Sequence, residues 1–299
     1  SKYESIDVEM PLGIDVEIFD NAFKTISDFF KLSGTSYVGL QLHHFNYNQI
    51  EEYFNIKKVV KFTTKEEITQ NMPELLHCTL KSDESFELLV VKGVLVHQIT
   101  MDPAARSMPT RILHRLGVNR FLVISSIFAA NNDMKVGDIF LPTDHMNMSV
   151  LNSNTGKNID EWGLRFYDVS KWYPKETKDK YAEIAEKHDA KVWSSNLLFV
   201  SNTKPFAGLA EKNFWEGMGE INGNITEAVA FQGHSELMTM RHMDVDNVFK
   251  SLFVGVIFEN WVKDTEGFEA DKIDIDAYNK GLTKAMDSLV EFIKLEDFS

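Results

Sequence analysis

The 299-residue sequence predicts an α/β fold, a three-layer αβα arrangement with a mixed central sheet flanked by helices. Three observations carry this. Short Val-, Leu- and Phe-rich runs alternate with amphipathic stretches along most of the chain. SLFVGVIF at 251–258 is apolar throughout, as expected of a strand covered on both faces. No Pro/Gly/Ser-rich linker, low-complexity tract or fixed-period repeat divides the chain, so one domain is expected over 1–299, with 1–34 as an N-terminal helical extension.

The elements follow in order. Residues 17–33 carry an apolar stripe of Ile18, Phe19, Phe23, Ile26, Phe29 and Phe30 and predict a helix, with Gly34 as its C-cap. Tyr37–Leu42, Lys57–Phe62 and Phe86–Val96 read as strands. Pro109 opens a helix that runs through Leu116 and ends at Gly117. RFLVI at 120–124 is a short strand, 125–135 a loop and 137–141 a strand. An amphipathic helix at 175–188 precedes a strand near 192–200. Helices are expected near 207–218 and 233–243, and the chain closes on a helix over 275–294. Ligands in such folds sit beyond the carboxyl ends of the strands, which directs attention to the loops after 42, 96, 124, 200 and 258.

Composition narrows the partners. The chain has 45 acidic and 31 basic residues and a net charge of −14. That field repels a phosphate backbone, so nucleic acid is not an expected partner. Cys78 is the single cysteine, which leaves no intramolecular disulfide and no Cys-x-x-Cys metal site. No segment reaches about 18 consecutive apolar residues, so no membrane span is expected. A cytoplasmic location is favoured and secretion stays open. Sequons stand at Asn147 and Asn224.

Five segments, in this order, resemble the trimeric purine nucleoside phosphorylase family: RILHRLGVNRFLVISS (111–126), VGDIFLPTDHMNM (136–148), WGLRFYDVSKWY (162–173), AVAFQGHSELMTMRHMDV (228–245) and SLFVGVIFEN (251–260). The resemblance spans roughly residues 30 to 295. It implies a homotrimer, no cofactor, and phosphate as co-substrate if the chain is active. It also implies phosphorolysis, in which phosphate attacks the anomeric carbon of a purine nucleoside. That chemistry needs charged groups and backbone amides on the phosphate, a held ribose, and a partner for the departing base.

The substrate positions depart from the family pattern. The first phosphate loop, Gly-Ser-Gly in the family, reads LHHFN here, which places His43, His44 and Phe45 in it. The family's Arg-Phe-His segment aligns with Val94, Leu95 and Val96, with His97 one place further on. The loop of small residues facing phosphate and base aligns with SSIFAA, bringing in Ile127 and Phe128. The purine-site Phe-Glu becomes Phe206 and Ala207, and the ribose-contacting Met-Ser becomes Phe231 and Gln232. The base-reading Asn keeps a match in Asn260, preceded by Glu259. Loss of one charge-assisted group of this kind typically costs ~2–4 kcal/mol of transition-state stabilisation.

The expected protein is therefore a nucleoside-phosphorylase-like chain with a rebuilt pocket and without family-type phosphorolysis, a pseudoenzyme that binds a flat or apolar small molecule. Phe45, Ile127, Phe128, Phe206, Phe231 and Asn260 would line an aromatic, largely uncharged cavity. One alternative is an active phosphorylase with His97, Glu259 and Asn260 in new roles. Another is a storage or scaffolding protein without a ligand.

Other polar residues invite sharper readings. Asp144 and His145 resemble an acid–base couple, but a capping and loop-ordering role is preferred. His43 and His44 point to opposite faces of a strand and cannot readily share one metal ion. Glu236 and Arg241 are five apart on one helix, a poor spacing for a pair, and His242 reads as scaffold. Trp162, Trp172, Trp193, Trp215 and Trp261 are core or interface candidates, and Trp261 would narrow the pocket.

Overall fold

A computed structural model describes residues 3–43, 47–64, 72–93, 103–149, 152–200, 210–211, 214, 226–246, 248–261 and 273–295. The chain forms two compact units, each assembled from three segments. Unit 1 takes residues 1–123, 151–172 and 235–251, and unit 2 takes 124–150, 173–234 and 252–299.

Unit 1 is built on β1 (Glu4–Glu9), β2 (Tyr37–His43), β3 (Phe54–Thr63), β4 (Glu74–Leu80), β5 (Glu87–Lys92) and the first half of β6 (Val118–Ala129), in the order β1-β3-β4-β5-β2-β6. β1 runs parallel to β3, and β2 runs parallel to β5. β3–β4 and β4–β5 are antiparallel, so the sheet is mixed as expected. Every residue of β2 is buried. β1 is a correction to the helical N-terminal extension: Ser5, Ile6, Asp7 and Val8 alternate as a strand does, and Val8 is buried.

Helix α1 (Val16–Phe30) is capped by Asp15, whose side chain accepts from the Ile18 amide at 3.1 Å. Phe19, Ala22, Ile26 and Phe30 form its buried stripe. The helix stops before the expected Gly34, because Lys31 takes the left-handed conformation at φ 51° and donates its amide to the Ser27 carbonyl. A single turn, α2 (Ile50–Tyr53), leads into β3. Helix α3 (Met108–Arg115) has Pro109 in its first turn, and Gly117 follows it with φ +108°. A Cβ at Gly117 would also stand 2.7 Å from the Thr35 carbonyl oxygen.

Unit 2 holds the rest of β6, then β7 (Ile139–Phe140), β8 (Asp144–Asn147), β9 (Val192–Trp193), β10 (Asn196–Phe199), β11 (Thr226–Ala230) and most of β12 (Lys250–Asn260). β11 is antiparallel to β6, and β10 is parallel to both β11 and β8. β12 is antiparallel to β7, which runs parallel to β9. The expected loop at 125–135 is a second correction, since β6 continues to Ala129. Ser125 and Ser126 read as turn residues in sequence, yet both are buried, and Ser126 Oγ lies 2.5 Å from the Tyr278 hydroxyl. The single strand expected near 192–200 is two short ones.

Helix α4 (Lys175–Lys187) places the Tyr181 hydroxyl on the Ala285 carbonyl of the last helix, 2.9 Å away. Helix α5 (His234–Met243) starts at the end of unit 2 and continues in unit 1. Helix α6 (Ile275–Ile293) is capped by Asp274 and buries Tyr278, Leu282, Ala285, Leu289 and Phe292. The helix expected near 207–218 falls almost wholly outside the described residues. Among the described residues, no helix is long and apolar enough to cross a membrane.

Candidate functional site

In unit 1, His43 is the last residue of β2, and Glu236 lies in the first turn of α5. His43 Nε2 and Glu236 Oε1 meet at 2.9 Å, with both side chains buried. Burial pushes the Glu236 carboxyl up. The charge and hydrogen bond of His43, its own backbone amide and Arg106 outweigh that effect and hold it below the usual carboxylate range. The ionised carboxylate accepts the Nε2 hydrogen of the imidazole. Among the described residues, His43 Nδ1 and Glu236 Oε2 are buried with no hydrogen-bond partner.

The remaining polar residues of α5 serve the scaffold. Arg241 donates to Asp244 at 3.0 Å and to the carbonyls of Lys171 and Phe249, so its partner is three residues on rather than Glu236. Burial first, then the charges of Arg111 and Arg165, push His242 down to about 4. The neutral ring accepts from Arg111 at Nδ1, 3.1 Å, and donates from Nε2 to Asn158, 2.9 Å. Arg111 also lies over the face of Trp162, 4.7 Å from its centre. Beside this network is a cavity of about 250 Å³ lined by Leu164, Phe166, Tyr167, Asp168, Arg241, His242, Asp244 and Val245.

In unit 2, Phe128 is stacked on two rings. Its centroid is 4.5 Å from Trp261 at an interplanar angle of 26°, and 5.6 Å from Phe231 at 23°. Phe128 and Trp261 are buried, and Phe231 is half-buried. Ile127, on the other side of β6, packs on Gly255, where a Cβ would stand 2.3 Å from its Cδ1. Asn260 donates both amide hydrogens to backbone, to the Asn131 carbonyl at 2.8 Å and the Met134 carbonyl at 2.9 Å. Glu259 beside it is buried, and Gln232 is half-buried.

Asp144 and His145 open β8 rather than cap the preceding strand, and the Asp144 carboxylate accepts the His145 amide at 2.8 Å. The Tyr173 hydroxyl keeps its proton because burial and Asp144 raise it, and it donates to His145 Nδ1 at 2.8 Å. The His145 ring also packs edge-on against Phe199 and His234, at 5.3 and 5.0 Å. Burial pushes His145 down to about 4. The pair is tied into packing.

Of the residues singled out from sequence, the structure brings Phe128 and Phe231 together and places His43 on Glu236. Ile127 joins the core. His44, Phe45, Val94, His97 and Phe206 lie outside the described residues, as does Trp215. Sequence reasoning missed Glu236 as the partner of His43, having weighed it only against Arg241. Trp261, expected to narrow the pocket, is stacked directly on Phe128. The available signal for Glu236 was a carboxylate in the first turn of a helix whose residues are largely buried.

The fold is that of the nucleoside phosphorylases. Isoform 2 of purine nucleoside phosphorylase from Schistosoma mansoni, in complex with cytosine and ribose-1-phosphate, matches over 97% of this chain and 100% of its own, with a TM-score of 0.80 and 20% identity. A second purine nucleoside phosphorylase structure from S. mansoni, in complex with adenosine, matches with a TM-score of 0.74 and 16% identity over 96% of this chain and 99% of its own.

The Phosphorylase superfamily model matches residues 87–222. Purine nucleoside phosphorylase 1 of Bacillus subtilis is 27% identical over 135 residues, 45% of this chain and 47% of that protein. The purine nucleoside phosphorylase of Mus musculus is 26% identical over 141 residues, 45% of this chain and 46% of that protein. The match thus spans about half the length of these curated relatives. The chain is similar to the phosphorylase superfamily over residues 87–222 and shares the phosphorylase fold.

Proposed function

We propose that this chain keeps the phosphorylase fold, does not carry out family-type phosphorolysis, and receives a flat or apolar small molecule. The observation that carries the reading is the buried pair of His43 and Glu236. The resemblance puts the first phosphate loop at this point of the chain. Here the imidazole N–H is taken by a carboxylate and is no longer offered to a phosphate oxygen. Asn260 supports the same reading, since both of its amide hydrogens go to backbone carbonyls and neither is left to read a base. The rings of Phe231, Phe128 and Trp261 offer stacking surface suited to a flat or apolar guest.

The test is phosphate-dependent turnover of inosine, guanosine and adenosine at high protein concentration, with calorimetric titration of phosphate into the same sample. No ribose-1-phosphate and no phosphate binding in the millimolar range are expected. Turnover together with phosphate binding overturns the reading.

A second reading is an active phosphorylase, favoured by the full-length structural match to a phosphorylase bound to ribose-1-phosphate. His97 and Glu259 would then act in place of the missing phosphate and base contacts, and alanine at either would abolish the turnover.

A further inference from the structure

The sequon at Asn147-Met148-Ser149 is not absorbed by the reading above. Asn147 is the last residue of β8, and its side chain is exposed. Its Oδ1 accepts from both the amide and the hydroxyl of Ser149, at 3.0 and 2.6 Å. The Asn147 Nδ2 group makes no hydrogen bond among the described residues. The sequon hydroxyl is therefore already folded back onto the amide oxygen of an exposed asparagine. The second sequon differs, because its hydroxyl residue, Thr226, is buried at the start of the inner strand β11.

β8 supplies an independent observation. It ends the strand order, and its pairing partner among the described residues is β10 alone. Met146 and Met148, either side of Asn147, are 43% and 47% exposed. A sheet edge with open backbone groups and flanking apolar side chains is a template for pairing with another chain, and a bulky hydrophilic group there blocks it.

We propose that Asn147 is an N-glycan acceptor whose glycan caps the edge that β8 forms among the described residues. In the transfer, Nδ2 loses a proton and bonds the anomeric carbon of the sugar. The bond from that carbon to the diphosphate of a lipid-linked oligosaccharide donor breaks, and the electron pair leaves with the diphosphate.

The experiment places the full chain behind a secretion signal in a eukaryotic host and measures intact mass before and after enzymatic N-glycan removal. Asn147→Gln and Ser149→Ala are each expected to lose one glycan, with circular dichroism unchanged. Asn224→Gln is expected to keep it. An Asn147→Gln mass equal to that of the parent after secretion overturns the acceptor assignment. Native removal of the glycan is expected to raise self-association in light scattering, more so than in a Met146→Lys, Met148→Lys variant. Unchanged scattering on deglycosylation overturns the edge-capping role.

Discussion

At the scale of single residues, the His43–Glu236 couple sets the sharpest expectations. Removing one member of a buried pair leaves an uncompensated charge or polar group, at a cost of ~3–5 kcal/mol. His43→Ala is expected to lower the unfolding free energy by that amount in urea titrations. His43→Leu combined with Glu236→Leu is expected to recover most of the loss, because two apolar side chains leave nothing unsolvated. Glu236 has a folded pKa below the ordinary value, so its stabilisation is present above the unfolded value and is lost as pH falls through the lower folded one. His145 and His242 act in a neighbouring window. Each is about 4 in the fold against an ordinary 6.5, so the unfolded chain binds protons that the folded one does not. Stability is therefore expected to fall continuously from pH 6.5 to pH 4, with Glu236 adding a further fall below that range. Unfolding midpoints across this range test it, and a flat profile between pH 6.5 and pH 4 contradicts it. Phe128→Ala removes the central ring of a stack and is expected to cost ~3–5 kcal/mol. The dry space it leaves, walled by Trp261 and Phe231, is expected to bind indole and regain part of that loss, read as a rise in Tm on adding indole.

At the scale of elements, close backbone contact limits what sequence can change. Helix α6 touches the turn before β7 through two glycines: a Cβ at Gly281 would stand 2.1 Å from the Gly137 carbonyl oxygen and 2.4 Å from its Cα. Both obstacles are backbone, so neither can swing aside. Gly281→Ala is expected to destabilise by ~1–3 kcal/mol or more through overpacking, and the same change at Lys280, which is not in this contact, by far less. Thermal unfolding of the two variants gives the comparison. Gly255 serves β12 in the same way, by making room for Ile127. This contact explains why Ile127 belongs to the core instead of facing a ligand.

At the scale of the whole molecule, the resemblance implies a homotrimer, and unit 1 carries apolar surface suited to burial between copies. Leu164, Phe166, Val169, Val245 and Val248 are all exposed, and Phe166 is 89% so. A patch of this kind rarely stays open to water. Light scattering is expected to give three times the 34.3 kDa chain mass, and Phe166→Asp is expected to shift the population toward the monomer. A monomeric parent protein contradicts the assembly.

The sequence by itself determined the α/β class, the mixed sheet, the two long terminal helices and the resemblance to phosphorylases. These rest on local periodicity and on ordered segments, which one chain carries in full. Apolar spacing placed α1, α4 and α6 to within a few residues, and Gly117 marked the end of α3. Strand β1, the far half of β6 and strand β8 escaped it, because short polar residues such as Ser125 and Ser126 are turn formers in isolation and become strand only when a distant partner such as Tyr278 satisfies them. The candidate site divides the same way. Set against the resemblance, the sequence places His43, His44 and Phe45, and Val94 to Val96, where the family has glycines, an arginine and a histidine. Only the tertiary structure decided that His43 faces Glu236, 193 residues away, that Asn260 turns its amide to backbone, and that Phe128 lies against Trp261. Such pairings depend on which side chains the folded backbone brings within about 3 Å, and hydrogen bonds at that range carry no periodic trace in the chain.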